Sequence, residues 1–180
     1  MAVTIALLGN PNSGKTTLFN RLTGSRQHVG NFPGVTVEKK EGELRNKEGV
    51  VVVDLPGIYS LSPYSAEEVV ARDFLMKDKP DVVIDVVDAT NLQRNLYLTV
   101  QLMEIGVPTV VALNMIDEVK RQGKRIDVPL LSKRMGLPVV AISAASGQGC
   151  EELIERAMER TRKKIALPCP EMDSGVWRRS

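Results

Sequence analysis

Gly9-Asn10-Pro11-Asn12-Ser13-Gly14-Lys15-Thr16 fits the phosphate-loop pattern G-x-x-x-x-G-K-[ST], and it follows an apolar run, Val3 to Leu8, that reads as a buried strand. Thr17-Leu18-Phe19-Asn20-Arg21-Leu22 continues in helical period. A glycine-rich turn between strand and helix lets backbone N–H groups converge on one anion, with the positive end of the helix dipole behind them. In that setting Lys15 reaches the β and γ phosphates of a nucleotide, and the Thr16 hydroxyl ligates Mg²⁺. The same residues could form a turn that merely connects strand to helix. The motif, however, sits where its mechanism needs it.

Length and charge bound what surrounds this loop. A chain of 180 residues suits one domain with a real core and is too short for two comfortable ones. A net charge of +2 implies no broad basic face, so nucleic acid is not suggested as a partner. Cys150 and Cys169 lack metal-ligand spacing, and no signal peptide precedes Val3, which together favour a reducing cytoplasm. The apolar stretches are strand-length, so the chain reads as soluble.

Short β-branched runs alternate with helical segments. Strands are expected at Val3–Leu8, Val35–Leu44, Val50–Asp54, Val82–Val87, Thr109–Asn114 and Val139–Ser143. Helices are expected at Thr16–Leu22, Ala66–Met76, Leu92–Ile105, Val128–Met135 and Glu151–Lys163, with Gly106 as a C-cap. This is the alternation of a mainly parallel, six-stranded α/β sheet covered on both faces by helices. Residues 1–165 form the domain, and 166–180 read as a linker or C-terminal tail.

Ligands of open α/β sheets bind outside the carboxyl ends of the strands, and the remaining motifs fall there. Asp54-Leu55-Pro56-Gly57 closes the third expected strand: the acid can hold a Mg²⁺-bound water, and the Gly57 N–H can meet a γ phosphate. Asn114-Met115-Ile116-Asp117 closes the fifth. The Asp117 carboxylate can accept from the guanine N1–H and exocyclic amine, whereas adenine leaves those acceptors unpaired, at about 1–3 kcal/mol per group. Asn114 would tie this loop to the phosphate loop, although Asn or Asp here could equally cap a helix. Ser143-Ala144-Ala145 follows the last strand, where the Ala144 N–H could face guanine O6.

In order and spacing these segments resemble the five-motif signature of the GTPase superfamily, across about residues 3–164. Val29-Gly30-Asn31-Phe32-Pro33-Gly34-Val35-Thr36-Val37-Glu38, Gly57-Ile58-Tyr59-Ser60-Leu61 and Glu67 to Leu75 look like the two switch regions of the ferrous-iron transport protein B family. The fold implied is a Ras-like P-loop GTPase domain. In that family a cytoplasmic G domain precedes a helical spacer and a transmembrane iron-permeation domain, so the resemblance places this chain at the cytoplasmic face of the cell membrane, bound to GTP or GDP. The soluble GTPases of ribosome assembly or tRNA modification are the alternative, but no basic appendage accompanies these residues. A homo-oligomer is left open.

The resemblance also implies roles. Gly34, Val35 and Thr36 contact the nucleotide, with the Thr36 hydroxyl on Mg²⁺ and its backbone sensing the γ phosphate. Ile58 stands where other GTPases carry a glutamine that orients water, so hydrolysis should be slow. Met115 replaces the usual lysine of N-K-x-D. Asn12, with the carbonyls of Gly30 and Phe32, would hold K⁺ near the β and γ phosphates, making Asn12, Lys15, Thr36 and Gly57 the residues of catalysis. Asn12 could also simply tolerate a strained loop backbone. Tyr59, Ser60, Glu67 and Glu68 are all candidates for positioning the water. His28 reads as a solvated loop residue, not an iron ligand. The breakers Gly30, Pro33 and Gly34 suggest that residues 26–37 form a loop with little order of its own.

Overall fold

The computed structural model describes residues 2–166 of the chain. Its sheet has the strands β1 (Val3–Gly9), β2 (Gln27–Asn31), β3 (Glu38–Glu43), β4 (Val50–Asp54), β5 (Val82–Asp88), β6 (Thr109–Asn114) and β7 (Val139–Ala141). They lie in the order β2-β3-β4-β1-β5-β6-β7, parallel from β4 to β7 and antiparallel at the β2-β3-β4 edge. Seven strands replace the expected six. The added strand, β2, lies within the stretch read as a loop. Gln27-His28-Val29-Gly30-Asn31 is almost wholly exposed and has no alternating pattern; it is a strand because it pairs with β3, Val29 opposite Lys40 and Gly30 opposite Lys39. The strand expected from Val35 accordingly begins only at Glu38.

Alternation across the sheet sorts the core into two faces. Ile5, Leu7, Ile84 and Val86 pack with Leu18, Phe19 and Leu22 of α1 (Lys15–Thr23) and with Leu153, Ile154 and Ala157 of α6 (Cys150–Ala166). Ala6, Leu8, Val53 and Val83 face the other way, onto Val70 and Ala71 of α2 (Ala66–Asp73) and Leu98 and Leu102 of α3 (Leu92–Ile105). A third cluster joins Val111 and Leu113 to Ile116 and Val119 of α4 (Ile116–Arg121), and to Leu131 and Met135 of α5 (Val128–Met135). The α2 helix starts on a capping box: Glu68 N–H donates to the Ser65 hydroxyl at 3.2 Å, and Ser65 N–H donates to the Glu68 carboxylate at 3.1 Å. Gly106 ends α3 in the left-handed region at φ 78°, as expected.

One α-helix, α4, and a short 3-10 turn at Ala89–Asn91 lie outside the expected helices. Ile116–Arg121 is short, but Asp117 and Glu118 stand in its first turn and Lys120 and Arg121 in its last, the charge order that a helix dipole favours. No helix among the described residues is long and apolar enough to cross a membrane. The expected tail, with Cys169 and Trp177, lies outside the described residues apart from Ala166.

Among the described residues, one acid is buried midway along a central strand. Asp85, on the same face of β5 as Val83 and Val87, is 1 % exposed, and its carboxylate accepts a hydrogen bond from the Thr99 hydroxyl of α3 while its other oxygen has no partner among the described residues. Burial pushes its pKa from 3.8 to about 7, against the lowering effect of Thr99. In the unfolded chain this acid ionises near its ordinary value, whereas in the fold it keeps its proton for about three further pH units. The folded state therefore binds the extra proton, and its stability falls as pH rises through that window. We expect unfolding in urea to show roughly 3 kcal/mol less stability at pH 8 than at pH 5, and Asp85→Asn to flatten that slope. Parallel pH profiles for the two proteins would assign the slope elsewhere.

Candidate functional site

β1 is where the strand order reverses: β4 lies on one side of it and β5 on the other. Gly9 ends β1 level with Val86, and a Cβ there would lie 2.8 Å from the Ser13 hydroxyl oxygen. Gly14 has φ 90°, and a side chain on it would strike the Asn114 amide. Both glycines of the motif are thus required by close approach. Asn12 also takes the left-handed region, at φ 64°, which accounts for Asn at this position without any ligand.

α1 opens without a side-chain cap and without an acid in its first turn. Its first N–H groups have no intrahelical partner, and the helix dipole adds positive potential, so this end suits an anion. Ser13 N–H donates to the Asn10 carbonyl at 3.2 Å. The Asn10 Oδ1 and Ser13 Oγ atoms are buried without a hydrogen-bond partner among the described residues. Lys15 is buried, and its ammonium donates to the Asp54 carboxylate at the end of β4. Thr16 and Thr17 are exposed beside it.

The segment after Asp54 is held against the phosphate loop. Ile58 N–H donates to the Gly9 carbonyl at 3.1 Å, and a Cβ on Gly57 would lie 3.2 Å from Pro11 Cα. The Ile58 side chain is buried in the same cluster as Phe32 and Leu61. It points into the core, so the position that the resemblance matches to a water-orienting glutamine is apolar and turned away from solvent. Among the candidate water-positioning residues, Glu68 is committed to the α2 cap and the Ser60 hydroxyl donates to Ser62 Oγ at 2.8 Å. Tyr59 lies under the Arg94 guanidinium of α3 at 4.5 Å, and the Leu61 N–H donates to Gln101 of α3 at 2.7 Å. Glu67 is exposed.

The segment that resembles a first switch region is anchored by Phe32. Phe32 is buried, edge-on to Phe74 at 6.2 Å, and its N–H donates to the Val37 carbonyl at 3.0 Å. Its own carbonyl accepts from Val35 N–H at 3.3 Å. Gly34, Val35 and Thr36 form the exposed turn beyond it, and Gly30 belongs to the edge strand β2.

At the far end, the buried Asn114 joins three segments. Its Nδ2 donates to the Ser13 carbonyl at 2.9 Å, as the tie to the phosphate loop requires, and its Oδ1 accepts from Ala144 N–H at 2.9 Å. The N–H expected to face guanine O6 is therefore given to Asn114 in this structure. Met115 takes φ 63° as the residue before α4, and Asp117 stands half-buried in that helix's first turn. Its carboxylate accepts from Arg121 at 3.2 Å, an i,i+4 pair legible from spacing but assigned no role there. Ser143 N–H donates to the Gln148 carbonyl at 2.9 Å, closing the loop on itself. Arg21 of α1 donates to the carbonyls of Ala144 and Ala145; a contact across 123 residues of sequence leaves no local signal. Cys150 nearby is buried, and burial raises its pKa, opposed by the Arg21 charge, as befits an inert thiol.

Phosphate loop, Asp54 segment, Asn114 segment and Ala144 loop thus meet at the carboxyl ends of the parallel strands. A family model described as "Ferrous iron transport protein B" matches residues 3–157. The chain is 49 % identical over 170 residues to the "Fe(2+) transport protein A/Fe(2+) transporter FeoB fusion protein" of Porphyromonas gingivalis, covering 92 % of this chain and 20 % of that protein. It is 54 % identical over 156 residues to the Salmonella typhimurium "Fe(2+) transporter FeoB", covering 84 % of this chain and 20 % of that one. The chain therefore spans about one fifth of the length of these relatives. Among solved structures, an S. thermophilus NFeoB mutant bound to GDP superposes with a TM-score of 0.87 at 53 % identity, over 93 % of this chain and 66 % of that one. The cytosolic domain of T. maritima FeoB in a GDP form gives 0.86 at 46 % identity, over 90 % and 64 %. The reversal of strand order at β1, the loop it carries and these likenesses agree: the chain belongs to the ferrous iron transport protein B family, as its N-terminal G domain.

Proposed function

We propose that this domain binds GTP and GDP, hydrolyses GTP slowly, and acts as the nucleotide switch of a membrane Fe²⁺ transporter, at the cytoplasmic face of the membrane. The observation that carries the reading is the buried Lys15–Asp54 pair at the uncapped start of α1. Two opposite charges are held there out of water, each the other's partner. A nucleotide entering with Mg²⁺ would keep that balance: Lys15 would turn to the β and γ phosphates, and the Asp54 carboxylate would be left to help hold the ion through a water. The donors present, the Thr16 and Thr36 hydroxyls and the Asp54 carboxylate, are the hard oxygens that Mg²⁺ takes. When bound, the ion supplies positive charge to the phosphate oxygens. Related G domains solved with GDP support the same site.

The chain's own residues divide the remaining work. The first-turn N–H groups of α1 and the Gly57 N–H donate to phosphate oxygens. Gly34, Val35 and Thr36 close over the γ phosphate from an exposed turn. With Ile58 buried, no side chain of the glutamine type orients water, so turnover depends on charge stabilisation. Asn12, with the Gly30 and Phe32 carbonyls, would take K⁺ for that purpose. Asp117 and the Ala144 loop would read guanine, with Arg121 released from Asp117.

Two outcomes are expected. GDP and GTP should bind at least about a hundredfold more tightly than ATP, since adenine leaves the Asp117 acceptors unpaired, and Asp117→Asn should shift preference towards xanthine nucleotides. Competition of labelled GDP with ATP checks this, and equal affinities would remove the guanine assignment. Replacing Na⁺ by K⁺ should raise kcat, and Asn12→Ala should abolish the increment while GDP affinity stays within a few fold. Steady-state hydrolysis in the two salts is the measurement; equal rates would exclude K⁺.

A further inference from the structure

We propose that Arg21 is a positioning residue that grips the loop Ser143–Gly149 against α1 and thereby sets how slowly the domain releases GDP. This rests on the guanine-site reading above. The Arg21 guanidinium donates from Nε to the Ala144 carbonyl and from Nη2 to the Ala145 carbonyl, both at 2.6 Å. Two successive carbonyls aimed at one planar fork is a geometry that arginine satisfies and lysine does not. Gly147, at φ 89°, passes so close that a Cβ on it would lie 2.8 Å from Arg21 Nη1. The loop tip therefore rests on the same guanidinium.

The Ala144 peptide is held from both sides. Its N–H donates to Asn114 on the inside, and its carbonyl accepts from Arg21 on the outside. Besides these bonds, the buried methyl of Ala144 packs in the core cluster with residues of α1 and α6, while the rest of the loop has few distant partners. β7, which leads into it, has only three residues, and the loop's other bonds, Ser143 N–H to the Gln148 carbonyl and Gly147 N–H to the Ser143 carbonyl, are internal. Among the described residues Arg21 forms no salt bridge, so its charge is given to the loop. Arg21 stands in the last turn of the helix that Lys15 opens, so α1 carries the phosphate contact at one end and the grip on the base loop at the other.

Arg21 can be changed without opening the core. It is exposed and borders, with Leu22, Leu44, Cys150 and Ile154, an open cleft of about 410 Å³, so truncation leaves no sealed void. Arg21→Met keeps the apolar stem and removes every donor. Release of a fluorescent GDP analogue, followed by stopped flow, should be about tenfold faster in Arg21→Met than in wild type, with association within about twofold and the urea midpoint unchanged. Arg21→Lys should recover only part of the retention. Hydrogen exchange in the nucleotide-free protein should be faster at residues 143–149 in Arg21→Met. Unchanged release in both variants would overturn the proposal, as would full recovery by lysine. A wild-type protein that does not bind the analogue would remove the guanine-site reading and the release role with it, while the exchange measurement would still report whether Arg21 orders the loop.

Discussion

The side-chain amide of Asn114 is the tie on which the site depends. It leaves the end of β6 and reaches the phosphate loop through the Ser13 carbonyl and the Ser143–Gly149 loop through the Ala144 N–H. Both partners are buried backbone groups that would otherwise be unsatisfied, so each bond is costly to lose. The amide also occupies the space that any side chain on Gly14 would need. The second glycine of the phosphate motif is therefore dictated by a residue a hundred positions later as much as by its own left-handed backbone.

Two buried acids show how location divides structure from chemistry. Asp54 lies at the carboxyl end of its strand, with a cation beside it and with the mouth of the sheet above. Its charge is matched by Lys15. Asp85 lies midway along β5, level with Leu8 and Val111, with one hydroxyl for company. Burial there favours the neutral acid instead. The first arrangement suits a binding site. The second is a cost borne within the sheet.

The segments flanking the site are braced unequally. The stretch from Ile58 to Leu61 is held by the phosphate loop at one end and by Arg94 and Gln101 of α3 at the other. The turn from Pro33 to Thr36 is exposed and hangs between β3 and the buried ring of Phe32. An element that must close over a ligand is drawn from such sparsely held backbone, and the turn meets that description better than the segment after Gly57. The edge strand β2 narrows the movable part, because Gln27 to Asn31 are paired to β3.

Local chemistry was enough to place most of this molecule. The phosphate loop, Asp54-Leu55-Pro56-Gly57 and Asn114-Met115-Ile116-Asp117 are short and contiguous, and each follows a β-branched run, so strand, turn and chemistry are written together. The helix Leu92–Ile105 with its Gly106 cap was legible for the same reason, since periodicity and a terminator are local. β2 was not, because an exposed polar edge strand owes its conformation to the ladder it joins and not to its own residues. Nor were the Lys15–Asp54 pair, the burial of Asp85's carboxyl or the Arg21 grip on Ala144 and Ala145. Each joins residues far apart in the chain, and only the packing of α1 and α3 onto the sheet decides which side chains meet and which charges lose their water.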